Sequence, residues 1–306
     1  RRTLLLSGDD RGQSYLVDFF QVKGGRDHLL PFHADGAEFT PPALAGKAAE
    51  ISAGDGAKNG LKHLADVRSL DAPPGVHRAV WRNGELTTSL YLVLDKPETL
   101  FTATAPGIRR QADPFDTKSR LSLLFRRAAG PETIFVSLLE VDDGKPQIAA
   151  VHSLELASGE GRALEIERCG GDVDLVALNT GAAAVTLLRY PGFRLDGRMG
   201  AVRLRDGRPL RLFAVGEGGI RFGDTELALP ESPSGKIAAV DPVARTVELP
   251  TPPPPGVAGK FLFAPDRADG IYRIVAVEAK KLTLADDGEL RLTPGDRYRI
   301  VCHEEK

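Results

Sequence analysis

The sequence predicts an all-β chain: a large antiparallel β-sandwich of supersandwich-like build, followed by a small β-barrel-like or β-sheet domain. Three observations carry this reading. Short runs rich in Val, Leu, Ile, Phe and Thr recur along the chain, turn residues close them at even intervals, and no long stretch keeps the 3.6-residue period of a helix. The 33 Gly and 22 Pro among 306 residues supply turn chemistry for many hairpins.

Taken in order, Tyr15–Val22 is closed by Gly24-Gly25, Ser89–Leu94 by Asp95-Lys96-Pro97, and Glu132–Val141 by Asp142-Asp143-Gly144. His152–Leu156, Asp172–Leu178 and Val185–Arg189 follow, each with Gly- or Asn-containing punctuation. Leu121–Phe125 alternates, whereas Thr133–Leu139 is apolar at almost every position. That pattern predicts a central strand covered on both faces, as between stacked sheets. Ala43–Glu50 and Lys58–Asp66 have the composition for a turn or two of helix, weakened by Gly46 and Gly60.

The character changes at Val215-Gly216-Glu217-Gly218-Gly219, which reads as a Gly-rich hinge between residues 1–215 and 220–306. Beyond it seven short strands are predicted: Gly235–Val240, Arg245–Leu249, Gly259–Phe263, Ile271–Val277, Lys281–Leu284, Glu289–Leu292 and Arg297–Val301. The proline run 250–255 reads as a stiff surface loop, because it sits inside the strand series.

Composition removes several classes of function. With 40 Lys+Arg against 42 Asp+Glu, the net charge of -2 argues against disorder and against bulk attraction to nucleic acid. The 6% aromatic content is low for a platform that stacks bases. No stretch approaches the ~18 apolar residues that a membrane span requires. The two cysteines, Cys169 and Cys302, set no disulfide framework and no zinc-like spacing, and are expected to be small buried hydrophobes. The sole methionine is Met199, and Leu4-Leu5-Leu6 reads as a strand entered in mid-course, so further sequence is expected upstream.

Chemistry-bearing residues are few. No nucleophile elbow, phosphate-binding glycine loop, dinucleotide fingerprint or H-E-x-x-H pair is present. Of the six histidines only His28 and His33 are close in sequence. Their five-residue offset puts them on opposite faces of a regular strand, so a shared metal would need a bulge between them; otherwise each is a hydrogen-bonded structural residue. Asp142-Asp143-Gly144 and Asp286-Asp287-Gly288 look like carboxylate clusters but read as hairpin turns. Residues 108–127 hold Arg109, Arg110, Lys118, Arg120, Arg126 and Arg127 against two aspartates, and residues 189–211 hold seven arginines against two. Guanidinium forks suit carboxylates and sulfates, so each cluster is either a surface for an acidic polymer or a solvated strand face.

Tyr15-Leu16-Val17-Asp18-Phe19-Phe20-Gln21-Val22-Lys23-Gly24-Gly25, then His28, then Phe32-His33, resembles the D-x-F-x-V-x-G-G-x-x-H-x-Y-x-x-H stretch in the β-domain of heparinase II/III-like polysaccharide lyases. Trp81, Leu90–Val93, Ala105-Pro106-Gly107 and Glu132–Glu140 follow in the order of later strands of that domain. The resemblance covers about residues 1–215. It departs at Leu30, where the family has an aromatic, and at Ala34-Asp35-Gly36 after His33.

The resemblance implies a secreted or periplasmic lyase that cleaves uronate-containing glycans such as heparan sulfate, other glycosaminoglycans or alginate by β-elimination. Its catalytic α-helical toroid would precede this chain, which alone would be inactive. It implies His28 and His33 as catalytic or cleft-edge residues, and an acidic polysaccharide and the helical domain as partners; Arg109, Arg110 and Arg120, from the first basic cluster, are the expected substrate contacts. A divalent metal such as zinc would require ligands from upstream. The alternative is a non-catalytic β-sandwich that binds acidic glycans or serves as a scaffold.

Overall fold

The computed structural model describes residues 2–8, 14–34, 38–51, 61–106, 120–265, 267, 270–286, 288–301 and 303–305. It is almost entirely β, with no α-helix and no segment long and apolar enough to cross a membrane as a helix among those residues. Residues 1–153 with 166–171 form one compact unit, and residues 154–165 with 172–306 a second.

The strands of the first unit are β1 (Arg2–Gly8), β2 (Ser14–Lys23), β3 (Asp27–His33), β4 (Glu38–Thr40), β5 (Gly46–Ala48) and β6 (Ala65–Ala72). They continue as β7 (Gly75–Asn83), β8 (Leu86–Leu94), β9 (Glu98–Pro106), β10 (Arg120–Ala129), β11 (Glu132–Asp142) and β12 (Ile148–Leu154). Two antiparallel sheets face each other, one in the order β1-β2-β11-β8-β7-β4 and one in the order β3-β10-β9-β6-β5. Leu90, Leu92 and Leu94 of β8 meet Leu70, Leu100 and Leu124 of the facing sheet in a shared core. This is the predicted sandwich. Trp81 stacks on Phe39 with centroids 4.9 Å apart and donates its indole N–H across the core to the Ser122 carbonyl. β11 is central and buried on both faces, with Phe135 inward and Val136 and Leu138 on the opposite side.

The helical turns expected near 43–66 are replaced. Gly46–Ala48 is an edge strand paired with β6, and Arg68 donates to the Gly46 carbonyl. Leu61–His63 makes a single 3₁₀ turn before β6, and residues 58–60 lie outside the described residues. Asp142-Asp143-Gly144 forms an Asx turn, the Asp142 carboxylate accepting the Gly144 N–H. It leads out of the sheet and does not close a hairpin.

The chain continues with β13 (Leu156–Ser158), β14 (Gly161–Arg168, of which residues 166–168 belong to the first unit), β15 (Val173–Asn179), β16 (Val185–Leu187), β17 (Phe193–Leu195), β18 (Met199–Arg205), β19 (Arg208–Val215), β20 (Ile220–Phe222) and β21 (Thr225–Leu227). Then come β22 (Ser234–Lys236), β23 (Ala239–Asp241), β24 (Thr246–Glu248), β25 (Phe261–Phe263), β26 (Ile271–Glu278), β27 (Lys281–Leu284), β28 (Arg297–Val301) and β29 (His303–Glu305). β15, β18, β19 and β29 lie side by side in one sheet, and β13-β16-β17-β20-β21 form another. Leu175, Val202 and Leu212 from the first and Phe193, Leu195 and Ile220 from the second share a core.

The Gly-rich segment expected as a hinge is a tightly packed corner inside this unit. The Gly219 carbonyl accepts N–H groups from Asp196 and Gly197, and a Cβ on Gly219 would lie 2.1 Å from the Leu227 carbonyl oxygen.

Residues 234–301 hold a separate core of Val247, Leu262, Ile274, Leu282 and Ile300. Their seven strands run β22-β28-β25-β26-β27-β24-β23. Only Ile237 and Ala238 separate β22 from β23, the strands at the two ends of that order, so one bent segment serves both edges and the sheet curls into a barrel. Glu289–Leu292, expected as a strand, is not one; the count of seven is restored because the segment 235–240 divides at the bend. The proline run is an exposed loop between β24 and β25.

Candidate functional site

The motif stretch 15–33 builds a corner of the sandwich. β2 belongs to one sheet and β3 to the other, so the chain must leave one layer and enter the next within Gly24, Gly25 and Arg26. Gly24 and Gly25 have φ of 88° and 81°, a region that costs side-chain-bearing residues about 1–2 kcal/mol each. The β10–β11 connection makes the reverse crossing beside it. The two are joined by Gly24 N–H to the Pro131 carbonyl at 2.7 Å and Gly130 N–H to the Arg26 carbonyl at 3.0 Å.

His28 closes this corner. It is buried, its Nε2 lies 2.5 Å from the Gly24 carbonyl oxygen and its Nδ1 lies 2.8 Å from Thr133 Oγ1 on β11. A carbonyl only accepts, so Nε2 carries a proton and donates it to Gly24, and Nδ1 shares a hydrogen bond with the Thr133 hydroxyl. Both ring nitrogens are committed to holding the crossings together. His33 lies five positions on, and β3 pairs with β10 without a break from Asp27–Ala129 to His33–Leu123. With no bulge, His28 faces the core and His33 is exposed on the other face. The two histidines are therefore not brought together. No cluster of three or more His, Cys, Asp or Glu suited to a metal occurs among the described residues.

Asp18, in the same motif, is buried and takes a two-pronged ion pair from Arg2 on β1, with Nη2 2.6 Å from Oδ2. The aspartate holds the guanidinium above its usual pKa, chiefly through these hydrogen bonds.

Among the candidate glycan-binding arginines, Arg109 and Arg110 lie outside the described residues. Arg120 begins β10 opposite Pro106, and its side chain is likewise outside them. Arg126, from the same basic cluster, points into the sandwich. Its Nε and Nη2 bind Glu98 at 2.7 and 2.9 Å, and its remaining donors reach the carbonyls of Val136 and Val93 on the facing sheet. The guanidinium also stands 5.0 Å from the centroid of the Phe135 ring. Arg127 pairs with Asp27.

The second cluster is neutralised from neighbouring positions. Arg203 binds Asp174, Arg205 binds Asp172, Arg194 binds Asp196 and Arg189 binds Glu165. Most of the 189–211 charge is thus spent within the fold. A sequence count missed this because the carboxylates come largely from other strands. The one local sign of Arg126's inward position is that it shares a face of β10 with the buried Leu124.

One buried carboxylate was not anticipated. Glu140 ends the apolar run of β11, with Oε1 accepting the N–H groups of Gln147 and Ile148 at 2.5 and 3.1 Å and Oε2 buried without a partner. Burial pushes its pKa up against the pull of those two hydrogen bonds. Cys169, expected to be buried, is an exposed free thiol, and Cys302 lies outside the described residues.

No protein-family model matches the chain, and no curated protein matches it.

Proposed function

We propose that this chain is the β-sandwich portion of a polysaccharide lyase acting by β-elimination on uronate-containing acidic glycans, secreted or periplasmic, in which the sandwich is the framework and the proton-transfer groups come from outside the described residues. The observation that carries the reading is the corner itself. Of the residues that give the motif its resemblance to heparinase II/III-like lyases, Gly24, Gly25 and His28 build the β2–β3 crossing, and Asp18 ties β2 to β1 through Arg2. A motif kept for architecture is what a sandwich of that family would retain.

The chemistry sets the remaining demands. Neutralising the uronate carboxylate acidifies the C5 proton; a base takes that proton, its electron pair forms the C4=C5 double bond, and the C4–O4 bond breaks as O4 is protonated. His28 is ill placed to be that base, since either role would cost it the Gly24 or Thr133 bond. His33, exposed on the other face of β3, is the motif histidine left to line a cleft edge beside groups supplied from elsewhere.

The commitment of His28 favours a second reading, a non-catalytic acidic-glycan-binding or scaffolding sandwich. Ultraviolet absorbance of the unsaturated product separates the two, measured over alginate, heparan sulfate and chondroitin sulfate for the chain alone and joined to any sequence that precedes it. Product from the longer protein supports the lyase reading. Glycan binding without product from either supports the second, and neither binding nor product sinks both.

A further inference from the structure

The outer wall of the barrel carries a surface that neither the motif nor the arginine clusters pointed to. Phe261 and Phe263 on β25 and Ile271 and Val275 on β26 are 38%, 37%, 62% and 47% exposed, a concentration of large apolar side chains that a solvated wall does not need. Register makes them neighbours. Phe263 lies between Ile271 and Arg299, and Phe261 between Arg273 and Val301. Arg273 and Arg299 are exposed, and no described carboxylate pairs with either of them. That sets them apart from Arg189, Arg194, Arg203 and Arg205. The outward positions of β22, β25, β28 and residues 271–275 include no Asp or Glu.

We infer that this wall, formed by Phe261, Phe263, Ile271, Arg273 and Arg299, binds a linear acidic polysaccharide that carries a carboxylate on every second sugar. The apolar side chains offer surface to the C–H faces of sugar rings, and each guanidinium presents a fork that matches a carboxylate. The spacing suits such a repeat. Arg273 and Arg299 are two strands and two residues apart, which puts their Cα atoms about 12 Å from each other, longer than one sugar and close to a disaccharide. A single-stranded nucleic acid would ask for a basic groove following a phosphate at every unit, whereas this wall sets Arg273 and Arg299 among apolar groups, with Arg297 and Lys236 together at its β22 edge. The choice of a uronate polymer rests on the lyase reading; the composition of the wall does not.

The test is calorimetric titration of the 306-residue chain with hyaluronan oligosaccharides, in parallel with alginate, poly-dT and neutral dextran. Binding of hyaluronan in preference to the other three is expected, weakened about tenfold by Arg273→Ala, Arg299→Ala, Phe261→Ala or Phe263→Ala with thermal melting unchanged. Absence of hyaluronan binding, equal or tighter binding of alginate or poly-dT, or indifference to all four substitutions overturns the assignment. So does a dimer in sedimentation that Phe261→Ala dissociates, which would make the wall a contact between copies. Hyaluronan binding by the chain, with no unsaturated product even when the chain is joined to the sequence that precedes it, leaves this assignment standing and removes the lyase reading instead.

Discussion

Arg126 of β10 and Glu98 of β9 form a two-pronged ion pair in the interior of the sandwich, with side-chain exposures of 1% and 4%. The same guanidinium reaches two carbonyls of the facing sheet, so it fastens the layers as well as satisfying the carboxylate. Glu98→Ala leaves that guanidinium buried without its counter-charge, and should cost about 3–5 kcal/mol in urea unfolding. Replacing both partners, as Arg126→Met with Glu98→Leu, should cost clearly less than the sum of the single changes. Additive losses would mean that the pair is not coupled.

The corner predicts a difference between two histidines that look alike in sequence. His28→Ala removes a group bonded at both nitrogens and should lower stability by about 1–3 kcal/mol, and Thr133→Val should recover part of that loss in the double mutant. His33→Ala, at an exposed position, should stay within about 0.5 kcal/mol of the parent. Equal effects would contradict the placement of His28.

Glu140 makes stability depend on pH in an unusual direction. Its folded pKa lies above the unfolded one, so between the two the native state holds the extra proton. Stability should therefore be highest below the ordinary carboxylate range and fall as pH rises through the raised value. Asp142 adds to the upward push and Arg78 opposes it. Glu140→Gln keeps an oxygen for the Gln147 and Ile148 N–H groups and removes the charge. It should be more stable than the parent at neutral pH, with the advantage vanishing in acid. A constant difference across the range would rule out ionisation as the cause.

Gly219 distinguishes a corner from a hinge. With φ of 97° and the Leu227 oxygen 2.1 Å from a built Cβ, Gly219→Ala should cost on the order of 3 kcal/mol or more. Gly144, at φ of 90° with open space around it, should lose only about 1–2 kcal/mol on the same change. Thermal denaturation of both variants makes the comparison.

The fold class was legible because strand-forming runs and turn residues speak locally. Thr133–Leu139, apolar on both alternations, announced a strand covered on both faces, and β11 is buried that way. The parity of His28 and His33 was equally readable, since a five-residue offset in an unbroken strand has one outcome. What was not legible depended on partners far away in sequence. Arg126 counted as one more surface cation until Glu98 was beside it, and Arg203 and Arg205 until Asp174 and Asp172 were. The Gly216–Gly219 run was ambiguous for the same reason, because free and crowded glycines have the same composition. The exposed phenylalanines of β25 were likewise invisible as a surface, because a run of Phe-Leu-Phe does not say which residue the barrel will swallow.

The bend at Ile237-Ala238 has a consequence for how the protein is made. β22 finds its partner in β28, so Ser234 waits for Arg299. During synthesis the barrel cannot close until nearly the whole 234–301 segment has left the ribosome, and loss of the last strand would strand the first. The pairings among β23 to β27 can precede it, but closure comes last, the slow kind of β step that distant pairings impose.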